Sequence, residues 1–143
     1  MQREKKILVG VKGVIVNEGK VLIIKRSKLA HFSGGTWEPV GGKVEFGEDL
    51  EEALKREVME EVGLEIAIEH ILYATTFETD PFRQMVIITY LCKSKNTDVT
   101  LSSEHEDYCW ANANELKQLL PAIIMSDFDK NHVFSLIEHS KLS

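Results

Sequence analysis

The chain has 143 residues, 43% of them hydrophobic and 28% charged, with a formal net charge of −6 at pH 7. That size and balance fit one globular domain spanning residues 1–143 with its own core. The acidic balance argues against a surface that coats a nucleic-acid polymer, and no apolar run approaches the roughly 20 residues of a membrane span.

The N-terminal MQREKK is charged, and no signal-like apolar stretch follows it, so no export is expected and the chain reads as cytoplasmic. Ile7 to Val16 is rich in Val and Ile, Asn17-Glu18-Gly19-Lys20 is a turn signal, and Val21 to Lys25 is again apolar. Together they predict a β-hairpin. Arg26 to Thr36 is polar with Gly34-Gly35 and predicts a loop; Trp37 to Gly42 predicts a short extended piece. Glu48 to Val62 predicts a helix, because Leu50, Ala53, Leu54, Val58 and Val62 recur at helical spacing as an apolar stripe. Gly63 suits its C-terminal cap. Leu64 to Phe77 and Met85 to Ser94 predict strands joined through Glu78-Thr79-Asp80-Pro81. Asp107 to Ala111 predicts a short strand, and Asn112 an N-cap for a short helix. Ser126 or Asp127 is positioned to cap a last helix running to about His139. Cys92 and Cys109 are too few for a disulfide framework and read as small core residues. Strands with interspersed helices make an α+β or layered α/β/α domain, but periodicity does not give the sheet order.

Glu57, Glu60 and Glu61 fall at i, i+3 and i+4, so on a helix they share one face within about a turn. Like charges at that spacing repel and disfavour the helix unless something positive sits between them. A divalent cation is the natural candidate. Oxygen-only ligands suit Mg²⁺ or Mn²⁺, which in turn suit phosphates. The nearby Glu51, Glu52 and Glu65 read as solvated surface, as charge runs usually do.

The whole run Gly42 to Leu64, GKVEFGEDLEEALKREVMEEVGL, resembles the Nudix box, the signature of the Nudix hydrolase family. That signature is Gly, five residues, Glu, seven residues, Arg-Glu, an aliphatic, any residue, Glu-Glu, any residue, Gly and an aliphatic. Gly42, Glu48, Arg56, Glu57, Val58, Glu60, Glu61, Gly63 and Leu64 occupy every specified position. The resemblance implies a central mixed sheet between helices and a small-molecule nucleotide substrate, hydrolysed with Mg²⁺ or Mn²⁺. Such a reaction must overcome a strongly anionic substrate that repels its nucleophile, which metal-bound carboxylate sites are suited to do. The leading reading is a nucleoside triphosphate cleaved to monophosphate and pyrophosphate. ADP-ribose is an alternative, with a weak vote from Pro81, and a dinucleoside polyphosphate another. A non-catalytic nucleotide-binding domain is the reading from a different class, and the retention of every box carboxylate speaks against it. A homodimer is left open.

The resemblance implies that Glu57, Glu60 and Glu61 are metal ligands, with Glu57 also a general-base candidate and the Gly41 carbonyl a further metal contact. Arg56 reads as an orienting partner for the box carboxylates, since its planar fork holds two carboxylates in fixed geometry. Glu48 reads as structural, opening the helix where its charge favours the positive end of the dipole. Gly42 and Gly47 read as suppliers of loop conformations that a Cβ disfavours. Ser103 to Trp110 resembles the Glu-rich stretch before a Trp in many Nudix proteins; Glu104 is preferred over Glu106 as an outer catalytic carboxylate, against an acidic surface loop. His105 reads as exposed or structural rather than catalytic. Lys25 and Arg26 are candidate phosphate contacts, or an exposed basic strand end. Phe32 and Trp37 are candidates for stacking on a base, or loop anchors. Asp127 reads either as an N-cap or, by resemblance to MutT-type enzymes, as a base-reading residue. Here Trp37-Glu38-Pro39-Val40-Gly41-Gly42 departs from the usual W-E-x-P-G-G order of that group.

Overall fold

The sheet is organised around β1 (Lys6–Asn17), a long strand of Val and Ile that pairs on both sides. It runs parallel to β5 (Arg83–Lys93) along its full length, from Lys6 opposite Arg83 to Val16 opposite Lys93. On its other side it is antiparallel to β3 (Trp37–Lys43). With β2 (Lys20–Arg26), β4 (Ala67–Asp80) and β6 (His105–Ala111), the order is β4-β5-β1-β3-β2-β6. The computed structural model describes residues 3–27 and 34–140.

The expected β1–β2 hairpin forms only at its tip. Glu18 and Gly19 have positive φ, 46° and 78°, the geometry that two-residue hairpin turns require. Beyond Val16 opposite Val21 the two strands part, and β3 enters between them, pairing with β1 at Gly10–Gly13 and with β2 at Ile23–Lys25. Periodicity marks a strand but not its neighbours, so this insertion was not legible locally.

Alternation along the strands divides the core in two. Val11, Ile15, Leu22, Ile24, Val40, Tyr90 and Cys92 face α1 (Leu50–Val62), whose Ala53, Leu54, Val58 and Val62 are fully buried against them. Val14, Val16, Val21, Ile23, Leu91 and Ala111 face the other way. There they meet Leu116 of α2 (Ala113–Leu119), Phe128 of α3 (Ala122–Lys130) and Val133 and Ile137 of α4 (Val133–His139). The result is the α/β/α layering expected from the sequence.

The first two helices start on side-chain caps, and the helix ends bring two corrections. α1 starts at Leu50 with Asp49 as its N-cap, the Asp49 carboxylate accepting from the Glu51 amide at 3.2 Å. Glu48 therefore precedes the helix and does not open it; Glu51 and Glu52 supply the acidic first turn. The single last helix is two. Asp127 lies within α3, and Asn131 ends that helix by donating both its amide and its side-chain nitrogen to the Asp127 carbonyl. His132, at φ 57°, then turns the chain into α4. Asp127 is thus not an N-cap. Asn112 does cap α2, in a reciprocal capping box with Glu115.

Gly63 closes α1 with φ 70° in the left-handed region, its amide bonded to the Met59 carbonyl at 3.0 Å. Gly63→Ala should cost about 1–2 kcal/mol of stability in urea unfolding, the usual cost of a Cβ in that conformation. Gly63→Asn should recover part of the loss, because Asn tolerates αL. Equal stability for all three proteins would remove the cap from the list of what holds the helix end.

Candidate active site

Arg56, the seventh residue of α1, gathers the carboxylates around it. Its Nε and Nη2 donate to the two oxygens of Glu48 at 2.6 and 2.9 Å, a fork-to-fork pair. Its Nη1 donates to Glu57 at 2.9 Å and to Glu60 at 3.2 Å, and Nη2 also reaches the Lys43 carbonyl at 3.1 Å. The Glu45 amide donates to Glu48 at 2.9 Å, so the loop before the helix is tied into the same cluster. The Arg56 hydrogen bond, and then the Glu45 amide, hold the Glu48 pKa down to about 2. Burial pushes the Glu57 carboxyl above its ordinary value; Arg56 opposes that push, and Glu60 and Glu61 add to it. One guanidinium thus serves three carboxylates, leaving an excess of negative charge on this face.

The glycines of β3 make room for it. A Cβ on Gly42 would run into the Glu57 carboxylate, with Oε1 at 2.6 Å. One on Gly41 would strike the Val11 carbonyl and lie 2.8 Å from the Lys12 Cα. Gly47 has φ 87° and open space around it, so its need is conformational as expected, whereas the need at Gly42 is for close approach.

Glu61 belongs to a second group. Its side chain is only 11% exposed, against 57% for Glu60. Its Oε2 accepts from His105 Nδ1 at 2.7 Å and from Ser102 Oγ at 2.9 Å. The His105 hydrogen bond leads, outweighing burial, and holds the Glu61 carboxyl below its ordinary value. His105 Nε2 lies 3.9 Å from Glu38. Glu38 pairs with Lys12 at 3.3 Å and lies 3.9 Å from the Arg26 Nε. Burial alone would raise the Glu38 pKa, but Lys12, His105 and Arg26 outweigh it and bring it down to about 2. Lys12 also donates to the Pro39 carbonyl at 3.2 Å.

Sequence reasoning missed Lys12, Glu38 and Ser102 and took His105 as exposed or structural, whereas its side chain is buried. Lys12 carried a signal: a lysine between Val11 and Val14 in an apolar strand is expected to have a buried partner. Glu38 and His105 come together only through the sheet.

The other predicted residues divide. Lys25 pairs with Glu106 at 3.4 Å. It lies opposite Trp37 across the β2–β3 ladder, on the sheet face where Trp37 packs against the second core. Arg26 lies on the α1 side, near Glu38. Glu104 is exposed, its carbonyl accepting from the Ser27 amide at 3.1 Å, and among the described residues its carboxylate bonds to none of the box residues. Asp127 is half-buried; burial pushes its carboxyl up, with Lys130 opposing. Phe32 lies outside the described residues. Among those residues Glu57, Glu60 and Glu61 are not drawn into one ligand cluster, since Arg56 holds two of them and His105 the third.

A helix face of carboxylates in excess over their guanidinium, beside bare glycine backbone, has the donor chemistry of a divalent-cation site. The family model of the NUDIX domain matches residues 6–130. The chain is 38% identical over 114 residues to nucleoside triphosphatase NudI of Klebsiella pneumoniae (strain 342), covering 73% of this chain and 81% of that protein. Identity to NudI of Escherichia coli O17:K52:H18 is 31% over 113 residues, covering 72% and 80%. The crystal structure of a MutT protein from Methanosarcina mazei Go1 matches with a TM-score of 0.83 at 30% identity, over 92% of this chain and 96% of that one. A MutT NUDIX hydrolase from Burkholderia pseudomallei matches with a TM-score of 0.73 at 29% identity, over 87% and 98%. The chain belongs to the Nudix family and is a hydrolase of phosphoanhydride bonds. That family generally works with a divalent metal.

Gly42→Ala should leave the fold intact but push the Glu57 carboxylate aside, lowering turnover about a hundredfold, the scale of a 1 Å misplacement in an active site. A fully active Gly42→Ala enzyme would show that the close approach is dispensable. Glu38 gives a pH test. Its folded pKa, about 2, lies below the ordinary 4.5, so its stabilising contribution is complete above 4.5 and is lost as pH falls toward 2. Between those limits wild-type stability should fall more steeply than that of Glu38→Gln, measured by urea unfolding across pH. Parallel curves would detach Glu38 from its cationic neighbours.

Proposed function

We propose that this protein is a Mg²⁺- or Mn²⁺-dependent pyrophosphohydrolase that converts a nucleoside triphosphate to the monophosphate and pyrophosphate. The observation that carries the reading is the Arg56-centred carboxylate face with its excess negative charge, against glycine backbone. The triphosphate is supported by the relatives named nucleoside triphosphatase.

Glu57, Glu60 and Glu61 are the assigned metal ligands, and the Gly41 carbonyl is assigned as a further one. A divalent cation bound there neutralises phosphate oxygens and lowers the pKa of a bound water. Arg56 orients: its fork on Glu48 locks the guanidinium, and Nη1 then fixes Glu57 and Glu60. Glu57, half-buried with its pKa raised, is the assigned proton acceptor. Arg26 is the assigned phosphate contact. Its Nε is buried with no hydrogen-bond partner among the described residues, and Glu38 keeps it oriented. Lys25, already paired with Glu106, is a weaker choice. Trp37 and Asp127 border the second core and are the assigned determinants of base preference, with Glu104 held as the outer carboxylate at the rim.

The test is a panel of ribo- and deoxyribonucleoside triphosphates, ADP-ribose and dinucleoside polyphosphates with Mg²⁺, with products identified. Wild type should release pyrophosphate, and Glu60→Gln should lose turnover by about two to three orders of magnitude, with the fold unchanged. Faster hydrolysis of ADP-ribose than of every triphosphate would replace the substrate; full activity of Glu60→Gln at limiting Mg²⁺ would remove the ligand assignment.

A further inference from the structure

His105 occupies a place that strand alternation does not give it. Along β6, Asp107 lies opposite Lys25, while Tyr108 and Trp110 lie opposite Ile24 and Leu22 on the α1 side. Strict alternation would put His105 with Asp107, Cys109 and Ala111, facing the second core. Instead the register shifts between Lys25 and Arg26, and His105 pairs with Arg26. This bulge turns the imidazole to the carboxylate side and leaves Glu106 beside Lys25. Bulges commonly re-aim a side chain in this way next to active sites.

The preceding loop is fastened to the end of α1. The Thr100 amide donates to the Val62 carbonyl and the Ser102 amide to the Glu61 carbonyl, both at 3.0 Å. The His105 amide donates to the Ser102 carbonyl at 3.2 Å. Ser102 and His105 then both donate side-chain hydrogens to a single atom, Glu61 Oε2. A carboxylate oxygen only accepts, so His105 Nδ1 carries the proton in that bond. Among the described residues both of these bonds fall on Oε2 and none falls on Oε1 of Glu61. The His105 ring is only 5% exposed, so its orientation is fixed by packing as well as by these bonds.

We propose that His105, with Ser102, is a positioning residue for the metal site: together they commit one oxygen of Glu61 to the protein and leave the other pre-aimed for a divalent cation. This rests on the metal reading above and deepens it. Metal sites are built this way in general, with outer hydrogen bonds setting the direction of the ligating atoms.

The test is Mn²⁺ affinity of the nucleotide-free protein, read by electron spin resonance of free Mn²⁺, with melting temperature recorded beside it. His105→Asn keeps an amide N–H near the position of Nδ1, whereas His105→Gln places one near Nε2. His105→Ala and His105→Gln should weaken Mn²⁺ about tenfold or more, and His105→Asn by no more than about threefold. Ser102→Ala, which removes the other bond to the same oxygen, should weaken it in the same direction with little change in melting; this variant decides the matter if His105→Ala does not fold. Wild-type affinity in Ser102→Ala or His105→Ala, or equal behaviour of the Asn and Gln variants, would overturn the proposal. Glu60→Gln separates the two levels. If it weakens Mn²⁺ while the His105 variants do not, only the positioning role falls; if wild type binds no Mn²⁺, the metal reading falls first.

Discussion

One guanidinium among several carboxylates is the constraint on which the rest of this site depends. Three glutamates within a helical turn repel one another and would fray the helix that carries them. Arg56 relieves the strain for Glu57 and Glu60, and it stays in place because Glu48 grips it from outside the helix with both oxygens. The grip depends in turn on the loop, where the Glu45 amide fixes Glu48 and Gly47 allows the turn. Residues without direct chemistry thus set the direction in which Glu57 points.

The two halves of the site solve one problem differently. On the Arg56 side, charge is left partly uncompensated, with Glu60 exposed. On the His105 side, Glu38 and Glu61 are matched by Lys12, Arg26 and His105 in a poorly hydrated place. Burying acids without such partners would cost more than the fold can supply. Glu60 faces solvent, while the matched contacts fix the directions in which Glu38 and Glu61 point.

Much of this was legible in the residues. The apolar stripe of α1, the cap at Gly63, the capping position of Asn112 and the carboxylate face all follow from local spacing and residue chemistry. The missing parts share a physical reason, which is that they arise between elements. β3 splits the hairpin because strand pairing is a tertiary choice. Asp127 sits inside α3 because that helix already starts at Ala122 behind Pro121, and Asn131 and His132 then break what reads as one continuous pattern. His105 reaches Glu61 because of a bulge opposite Lys25 and Arg26, and no periodicity marks a bulge in advance. Gly42 was legible as a required glycine, but the reason for it, the Glu57 carboxylate, was not.

The splayed hairpin has a consequence for how the molecule comes to exist. β1 and β2 meet at a two-residue turn, but the sheet is complete only when β3 slots between them and β5, distant in the chain, aligns along β1. Long-range parallel pairing of this kind is slow, because loop closure precedes any gain from contact. The glycine backbone that faces Glu57 belongs to the inserted strand, so the wall opposite the acids is fixed only when β3 has paired with both β1 and β2.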